Sequence, residues 1–511
     1  MSKRFYITTP IYYVNGAPHI GHAYTSIAAD VLARFKRLDG FDVFFLTGTD
    51  EHGQKVEQAA VAAGLDTQAY TDKISRDFKD MSDAMGVSYD DWIRTTEDRH
   101  KASCAELWKR IEASGDIYLG HYEGWYAIRD EAFYDEGELK TNDAGQKVAP
   151  TGAPVEWVRE PSYFFKLSAW QDRLLEFYDK NPEFIAPSSR KSEVLSFVKG
   201  RLHDLSVSRT TFAWGIPVPN APGHVMYVWL DALTNYITAA GFPDTGAEKW
   251  KYWPSDVHFV GKDIIRFHAV YWPAFLMSAG IAPPTRISSH GWWVVDGEKM
   301  SKSLGNVVEP RALAKTFGLD QIRYFLLREK PFGADGSLNH QAIIGRMNGE
   351  LANDLGNLAQ RSLSLIAKNC EGRLPGRGPA TAEDSTLLDA ANALPDLVRA
   401  SMDRQTFHEA LEDIWKVIRS GNAYIDHQAP WALRRTDPVR MAAVLRVLVD
   451  TMRVVATLLQ PFMPDSIGRM MDQLGVPSDA RSFAALSVPL TDGIALPTPQ
   501  GVFPRYVEPV S

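Results

Sequence analysis

Residues 10–22 read Pro10-Ile-Tyr-Tyr-Val-Asn-Gly-Ala-Pro-His-Ile-Gly-His22, and the chain changes periodicity across them. Before them, Arg4-Phe-Tyr-Ile-Thr-Thr9 has the β-branched and aromatic character of a buried strand. Asn15-Gly16 and Pro18 then interrupt any regular element. After Gly21-His22, Ala28, Val31, Leu32, Phe35 and Leu38 recur at helical spacing, with Asp30, Arg34 and Lys36 between them. Strand, tight turn and helix therefore follow in that order. A helix N-terminus carries unpaired N–H groups and a partial positive charge, so it can seat phosphate. His19 and His22, three apart, share one face of the first turn and can donate hydrogen bonds to phosphate oxygens. Gly21, between them, removes the side chain that would hold a nucleotide base off the backbone. Alone, such a histidine pair is more often a cap or a packing pair.

A second stretch changes that reading. Lys299-Met-Ser-Lys-Ser303 puts two lysines three apart in a loop that ends at Gly305-Asn306, after a hairpin-type turn at Asp296-Gly297. By itself a loop of this kind is ordinarily a solvated surface. His-Ile-Gly-His early and Lys-Met-Ser-Lys-Ser late, in this order, resemble the two signatures of class I aminoacyl-tRNA synthetases. The resemblance implies an α/β fold. Its doubly wound parallel sheet, of Rossmann type, would be split by a connective insertion and followed by an all-α anticodon-binding helix bundle.

Composition fits an enzyme of that kind. A chain of 511 residues exceeds one core, so two to four domains are expected. Hydrophobic residues at 45% and charged residues at 23% match a soluble globular protein. The start, Met-Ser-Lys-Arg-Phe, lacks an apolar signal segment, and no uncharged run is long enough to cross a membrane. A cytoplasmic address, with no membrane partner, is the expectation. Cys104 and Cys370 are the only cysteines, too few for a disulfide framework or a thiolate zinc site. A net charge of -8 argues against a generally adhesive nucleic-acid binder, so any RNA contact needs a local basic face.

Read in order, residues 1–115 form the first half of the doubly wound domain. Phe41-Asp-Val-Phe-Phe-Leu46 is a second buried strand running into the polar loop Thr47-Gly-Thr-Asp-Glu-His-Gly53. Ligands of open parallel sheets bind beyond the carboxyl ends of the strands, so this loop should face the crevice that His19 and His22 face. Residues 116–224 mix aromatics with charges and are punctuated by Gly137, Asn142, Gly145 and Gly152-Ala-Pro154, which marks the insertion. The second half, 225–290, opens on Val225-Met-Tyr-Val-Trp-Leu-Asp-Ala-Leu-Thr-Asn-Tyr236, where Trp229, Ala232, Leu233 and Tyr236 share a helical face. Val257-His-Phe-Val260 runs into Gly261-Lys-Asp-Ile-Ile-Arg-Phe-His268, with Ile264, His268 and then Trp272 a turn apart on the next helix. Arg286-Ile-Ser-Ser289 is a last strand, and 291–345 holds the lysine loop and a stem-contact region. From 346 to 511 the chain reads as helical. Val444, Leu445, Leu448, Val449, Met452, Val455 and Leu459 form an apolar stripe there, with Arg446, Asp450 and Arg453 opposite, and a Pro-rich tail follows from Leu486.

Pro10-Ile-Tyr-Tyr-Val-Asn-Gly16, Trp229-Leu-Asp-Ala-Leu-Thr-Asn-Tyr236, Gly261-Lys-Asp-Ile264 and an unsubstituted Lys-Met-Ser-Lys-Ser narrow the resemblance to the methionyl-tRNA synthetase family. It implies a methionine pocket of Ile11, Tyr13, Asp50, Trp229, Ala232, Leu233, Tyr236, Ile264, His268 and Trp272. Tyr236 and His268 would reach the sulfur, and Asp50 would take the α-amino group by a charge-assisted hydrogen bond. ATP would meet His19, Gly21, His22, Gly261, Asp263 and Lys302, with Mg2+ accompanying it and no protein cage for the ion. His19, His22, Lys299 and Lys302 would be the catalytic groups, and tRNA(Met) the partner, its anticodon read by Asn357, Arg361 and Trp431. Many relatives carry Cys-rich zinc knuckles in the insertion. This chain has none there, so no zinc and no other protein-held metal is expected, and Tyr, Asp and Glu would hold those turns instead. The chain ends before the extra carboxyl-terminal domain of some relatives, from which a monomer is expected. Its insertion is also too short for an editing domain, so homocysteine would have to be rejected in the synthetic site.

Two other readings compete. A class I synthetase for cysteine would be expected to carry thiolate clusters, and one for a branched amino acid a long editing insertion. A non-catalytic tRNA-binding protein on the same scaffold would have lost its phosphate-handling residues, yet His19, His22, Lys299 and Lys302 all stand. Lys302→Ala separates enzyme from binder: methionine-dependent exchange of pyrophosphate into ATP should be almost lost while methionine still binds. Unchanged exchange would remove Lys302 from catalysis.

Overall fold

The computed structural model describes residues 3–295, 298–299 and 307–508, with 298–299 as backbone only. Its contacts group into two compact units. One is built from Phe5–Pro18 and Phe44–His290, the other from the described parts of Met1–Arg4, His19–Val43 and Gly291–Ser511.

The first unit is laid on a seven-stranded sheet. Strands Ile185–Ala186, Ile287–His290, Val257–Gly261, Arg4–Thr8, Asp42–Asp50 and Tyr12–Tyr13 lie in that order, and Asp91–Arg94 also pairs with Asp42–Asp50. Ile7 stands beside Val257, His258 beside Ile287, Tyr13 beside Asp50 and Leu46 beside Asp91, all in parallel pairs. Parallel strands are covered on both faces, which is why they read as unbroken apolar runs. Tyr6, Ile7, Phe45, Leu46, Phe259 and Val260 are all fully buried.

The strand expected to stop at Leu46 continues to Asp50. Its polar residues are accommodated because their hydroxyls are paired inside the sheet. Thr47 Oγ1 shares a hydrogen bond with Thr9 at 2.7 Å, and Thr49 Oγ1 donates to Glu51 Oε1 at 2.7 Å. Gly48 is required there, since a Cβ would lie 1.9 Å from the carbonyl oxygen of Ile93 on the neighbouring strand. Asp50 is consequently the last residue of a hydrogen-bonded strand and not part of a loop.

Within the expected insertion 116–224 lies a second, antiparallel sheet ordered Leu205–Ser206, Glu156–Phe165, Ile117–Ala127, Ala132–Tyr134. Ile185–Ala186 departs from that expectation, because it pairs in parallel with Ile287–Ser288 as the edge of the first sheet. The long central antiparallel pair of the second sheet is in register from Ile117 opposite Phe165 to Tyr126 opposite Glu156. Sequence periodicity missed these strands because apolar side chains stand on their solvent face, with Leu119 and Trp157 more than half exposed. The turns of the insertion are tied by polar side chains. Arg129 Nη2 donates to the Thr151 carbonyl at 2.8 Å, and the Tyr134 hydroxyl donates to Asp130 at 3.1 Å.

In the second unit, the helix Ile20–Leu38 buries Ala28, Val31, Leu32 and Phe35, as the spacing predicts. Asp30 reads as solvent-facing but is fully buried, because Arg323 reaches it at 2.6 Å. Arg323 also donates to the carbonyls of Pro461 and Phe462 at 2.9 and 3.0 Å. The helices Ala382–Asp403, Phe407–Gln428 and Pro438–Leu459 pack on one another. The face of Pro438–Leu459 opposite its apolar stripe is covered as well. Arg446 donates to the carbonyls of Pro375 and Leu490, and Arg453 to those of Ala485 and Val488. The Pro-rich tail thus supplies backbone acceptors that a periodicity count does not see.

Removing one partner of a fully buried ion pair leaves an under-compensated charge. Arg323→Ala is expected to destabilise this unit by about 3 kcal/mol in denaturant unfolding. Arg34→Ala removes a partner of Asp30 that is 30% exposed and should cost under about 1 kcal/mol. Equal losses would contradict this account.

Candidate active site

Asp50 is 7% exposed, and its Oδ1 has no hydrogen-bond partner among the described residues. Burial pushes its carboxyl well above the ordinary range, and the charges of Asp231, Glu131 and Glu51 add to that. The acids around it are treated differently. Glu51 is held by Arg94 Nε at 2.6 Å and Nη2 at 2.9 Å, and its other donors are the Thr49 and Thr96 hydroxyls. Asp231 accepts from His52 Nδ1 and His100 Nε2, each at 2.7 Å. Burial alone would raise the Asp231 carboxyl, but the two imidazoles outweigh it and bring it down to about 2. One buried carboxyl group among them therefore keeps an oxygen without a hydrogen-bond partner among the described residues.

An aromatic slot stands beside it. Helix Val228–Ala239 carries Ala232, Leu233 and Tyr236 buried and Trp229 half-buried. Ile11 and Tyr13 pack on the same core cluster, as do Ile264 and Trp272, and the charge of Asp50 acts on both Tyr13 and Tyr236. The segment carrying Ile264, His268 and Trp272 is not the regular helix its spacing suggests. It runs as a 3-10 turn Lys262–Ile264, a π-turn Phe267–Tyr271 and a helix Trp272–Ser278. Pro273 is the cause. It has no N–H for the carbonyl of Ala269, which instead accepts from the Tyr178 hydroxyl at 2.6 Å.

His268 Nδ1 lies 3.0 Å from the Ile264 carbonyl, which can only accept, so the ring proton sits on Nδ1. Its Nε2 then accepts from the Tyr236 hydroxyl at 2.8 Å. Burial holds His268 down at about 4, so the ring is neutral at neutral pH. Tyr236 is fixed in turn by stacking on His258, with centroids 4.0 Å apart, and by Tyr6, whose hydroxyl donates to its carbonyl at 2.8 Å. Trp229 stacks on Phe267 at 3.8 Å. The slot is neutral and aromatic, and its tyrosine and histidine are already paired with each other.

At the start of the helix Ile20–Leu38, His19 is the N-cap. Its Nδ1 accepts from the Gly21 N–H at 3.1 Å, and His22 Nδ1 accepts from the His19 N–H at 3.1 Å. Both rings therefore carry the proton of their neutral form on Nε2. Capping thus sets the tautomer of both rings through Nδ1. A Cβ at Gly21 would lie 2.9 Å from His19 Cε1, so here the glycine makes room for the His19 imidazole.

Gly261 ends the strand Val257–Gly261, and the carboxylate of Asp263 folds over it, 2.6 Å from where a Cβ would stand. Lys299 lies in the short strand Glu298–Lys299, paired with Trp293–Val295, and only its backbone is described. Lys302, like Asp296, Gly297, Gly305 and Asn306, lies outside the described residues.

In the helical region, Arg361 and Trp431 come together, the guanidinium 5.3 Å from the ring centroid. Arg361 also pairs with Asp426 at 2.5 Å, and Trp431 is 43% exposed. Asn357 is exposed at the start of the helix Asn357–Asn369. The sequence reading left Asp231, His100, Arg94 and Glu131 without roles. Asp231 shares its helix face with Thr234, Asn235 and Thr238, and its two histidines come from distant segments.

A family model described as tRNA synthetases class I (M) matches residues 5–363, and one for the anticodon binding domain of methionyl tRNA ligase matches residues 374–508. The chain is 57% identical over 508 residues to a methionine–tRNA ligase of Mesorhizobium japonicum, covering 99% of this chain and 98% of that protein. It is 55% identical over 512 residues to one of Mycobacterium bovis, covering 99% of each. Among solved structures, Mycobacterium tuberculosis methionyl-tRNA synthetase in complex with methionyl-adenylate is similar at a TM-score of 0.96 and 55% identity, over 98% of this chain and 100% of that one. The apo form of the enzyme from that organism is similar at 0.91 and 51% identity, over 100% of this chain and 99% of that one.

Proposed function

The chain belongs to the methionyl-tRNA synthetase family of class I aminoacyl-tRNA synthetases, and from that membership we propose how its residues divide the ligase reaction. It is a methionine–tRNA ligase: methionine and ATP give methionyl-adenylate and pyrophosphate, and the methionyl group then passes to the 3'-terminal adenosine of tRNA(Met). The observation that carries the residue assignment is the open oxygen of Asp50 beside the aromatic slot.

Methionine enters with its ammonium group on Asp50 and its thioether among Ile11, Tyr13, Trp229, Ala232, Leu233, Tyr236, Ile264, His268 and Trp272. A slot whose polar groups are internally paired suits a thioether, which is polarizable and a weak acceptor. The methionine carboxylate attacks the α-phosphorus, the bond to the bridging oxygen breaks, and pyrophosphate leaves. That carboxylate is already a nucleophile, so the step needs positioning and charge stabilisation and no general base. His19 and His22 donate their Nε2–H groups to phosphate oxygens, Lys299 and Lys302 neutralise the departing pyrophosphate, and Gly261 and Asp263 hold the adenosine, with Gly21 keeping the His19 ring in place. In the second step a ribose hydroxyl attacks the methionyl carbonyl and AMP leaves.

Magnesium arrives with ATP. Trp431 stacks on a splayed anticodon base, with Arg361 and Asn357 supplying hydrogen bonds, as exposed aromatics and guanidinium groups do with single-stranded RNA. We read the working form as a cytoplasmic monomer without zinc in its insertion. Its support is that no described helix is long and apolar enough to cross a membrane and that polar side chains tie the insertion's turns.

Pyrophosphate exchange measured with each standard amino acid tests the assignment, with methionine alone expected to support it; exchange with another amino acid would overturn the pocket. Trp431→Ala should cut tRNA charging and leave exchange intact, and a parallel fall in both would make Trp431 structural. The raised Asp50 carboxyl has a consequence for pH. An arriving ammonium favours the carboxylate, so methionine binding should release protons and tighten as pH rises through the Asp50 value of the free enzyme. Calorimetry in buffers of different ionisation enthalpy reads that release, and binding with no proton exchange at any pH would contradict it.

A further inference from the structure

A second carboxylate lies close to Asp50, and the roles above leave it unused. Glu131 sits in the turn between the strands Ile117–Ala127 and Ala132–Tyr134 and is 5% exposed. Its φ is 48°, in the left-handed region that side chains avoid because Cβ crowds the following carbonyl. The turn is held there by the Tyr227 hydroxyl, which donates to the Glu131 carbonyl at 2.8 Å. The carboxylate is gripped as firmly. Oε1 accepts from the Tyr13 hydroxyl at 3.0 Å and the Lys55 N–H at 3.3 Å, and Oε2 accepts from the Tyr126 hydroxyl.

Several features tie this group to the ammonium end of the site. Tyr13 is a pocket residue in register with Asp50. The chain just beyond Asp50 presses on the pair, since a Cβ at Gly53 would lie 2.6 Å from Tyr13 Oη and 3.1 Å from Glu131 Oε1. The donors to Glu131 are two phenols and an amide, all neutral, and no ion pair reaches it among the described residues. Arg209 stacks on the Tyr126 ring at 4.0 Å but pairs with Glu160, and Lys55 Nζ donates to the Arg129 carbonyl. The charge of Glu131 thus raises Asp50, and the Arg209 charge lowers Glu131 without an ion pair between them, so burying both carboxyl groups costs free energy until a cation arrives. Burial pushes both groups up, and the charge of Glu131 contributes to the rise at Asp50.

We infer that Glu131 is a specificity-determining residue for the substrate's α-ammonium group: with Asp50 it forms a two-carboxylate seat, and it holds Tyr13 as the wall between them. The inference rests on the assignment of Asp50 to the ammonium. Asp50 meets the ammonium directly, and Glu131 acts on it across the Tyr13 hydroxyl.

Three ligands separate this role from a structural one: methionine, its des-amino analogue, which keeps thioether and carboxylate, and its decarboxylated amine, which keeps thioether and ammonium. Glu131→Gln retains an oxygen for Tyr13 and loses the charge. In that variant, dissociation constants for methionine and the amine should rise about tenfold, with the des-amino analogue unchanged. The ratio between ligands is taken within one preparation, so a smaller folded fraction cancels. Equal loss for all three ligands, or no loss, overturns the inference. Asp50→Asn should shift the same ratio. A shift there but none in Glu131→Gln defeats this inference alone, whereas no shift in either defeats the Asp50 assignment as well.

Discussion

The unit that holds the parallel sheet is arranged around a buried carboxyl group, Asp50, one of whose oxygens has no hydrogen-bond partner among the described residues. An uncompensated buried charge costs several kcal/mol, so a relaxed chain would turn Asp50 toward a donor or toward water. It is prevented from doing so by its backbone. Asp50 ends a strand that continues through Thr47, Gly48 and Thr49 because each hydroxyl is paired and the glycine admits the neighbouring strand. The next two residues are locked as well, Glu51 by Arg94 and His52 by Asp231. Asp231 lies on the same helix as Trp229 and Tyr236, so one hydrogen-bond network ties the segment after Asp50 to the helix that carries these aromatics.

The slot follows the opposite rule, with its polar groups satisfied within it. A proline without an N–H forces a π-turn, a tyrosine hydroxyl takes the carbonyl left over, and His268 is presented neutral to Tyr236. A charged imidazole there would select a polar side chain. A neutral pair of this kind suits an apolar, polarizable side chain.

Much of this was legible in the sequence where the signal is local. The strand–turn–helix around His19 and His22 and the helical face from Trp229 to Tyr236 follow from short-range spacing. What escaped depends on partners far along the chain. Asp30 reads as exposed until Arg323 is placed beside it, and Arg446 and Arg453 read as solvated until the tail supplies carbonyls. The insertion's long antiparallel pair hid because apolar groups stand on its outer face, and Glu131 because its meaning lies in Tyr13, more than a hundred residues earlier. The caps at His19 and His22 show a different limit, since spacing alone does not say which backbone N–H each ring nitrogen takes.

The most direct test of this account is infrared difference spectroscopy of the enzyme on adding methionine, near the pH at which the free Asp50 carboxyl is half protonated. The account predicts loss of a protonated-carboxyl band on binding, and no such loss in Asp50→Asn. A band that does not change on binding, or that is lost equally in the variant, would contradict it.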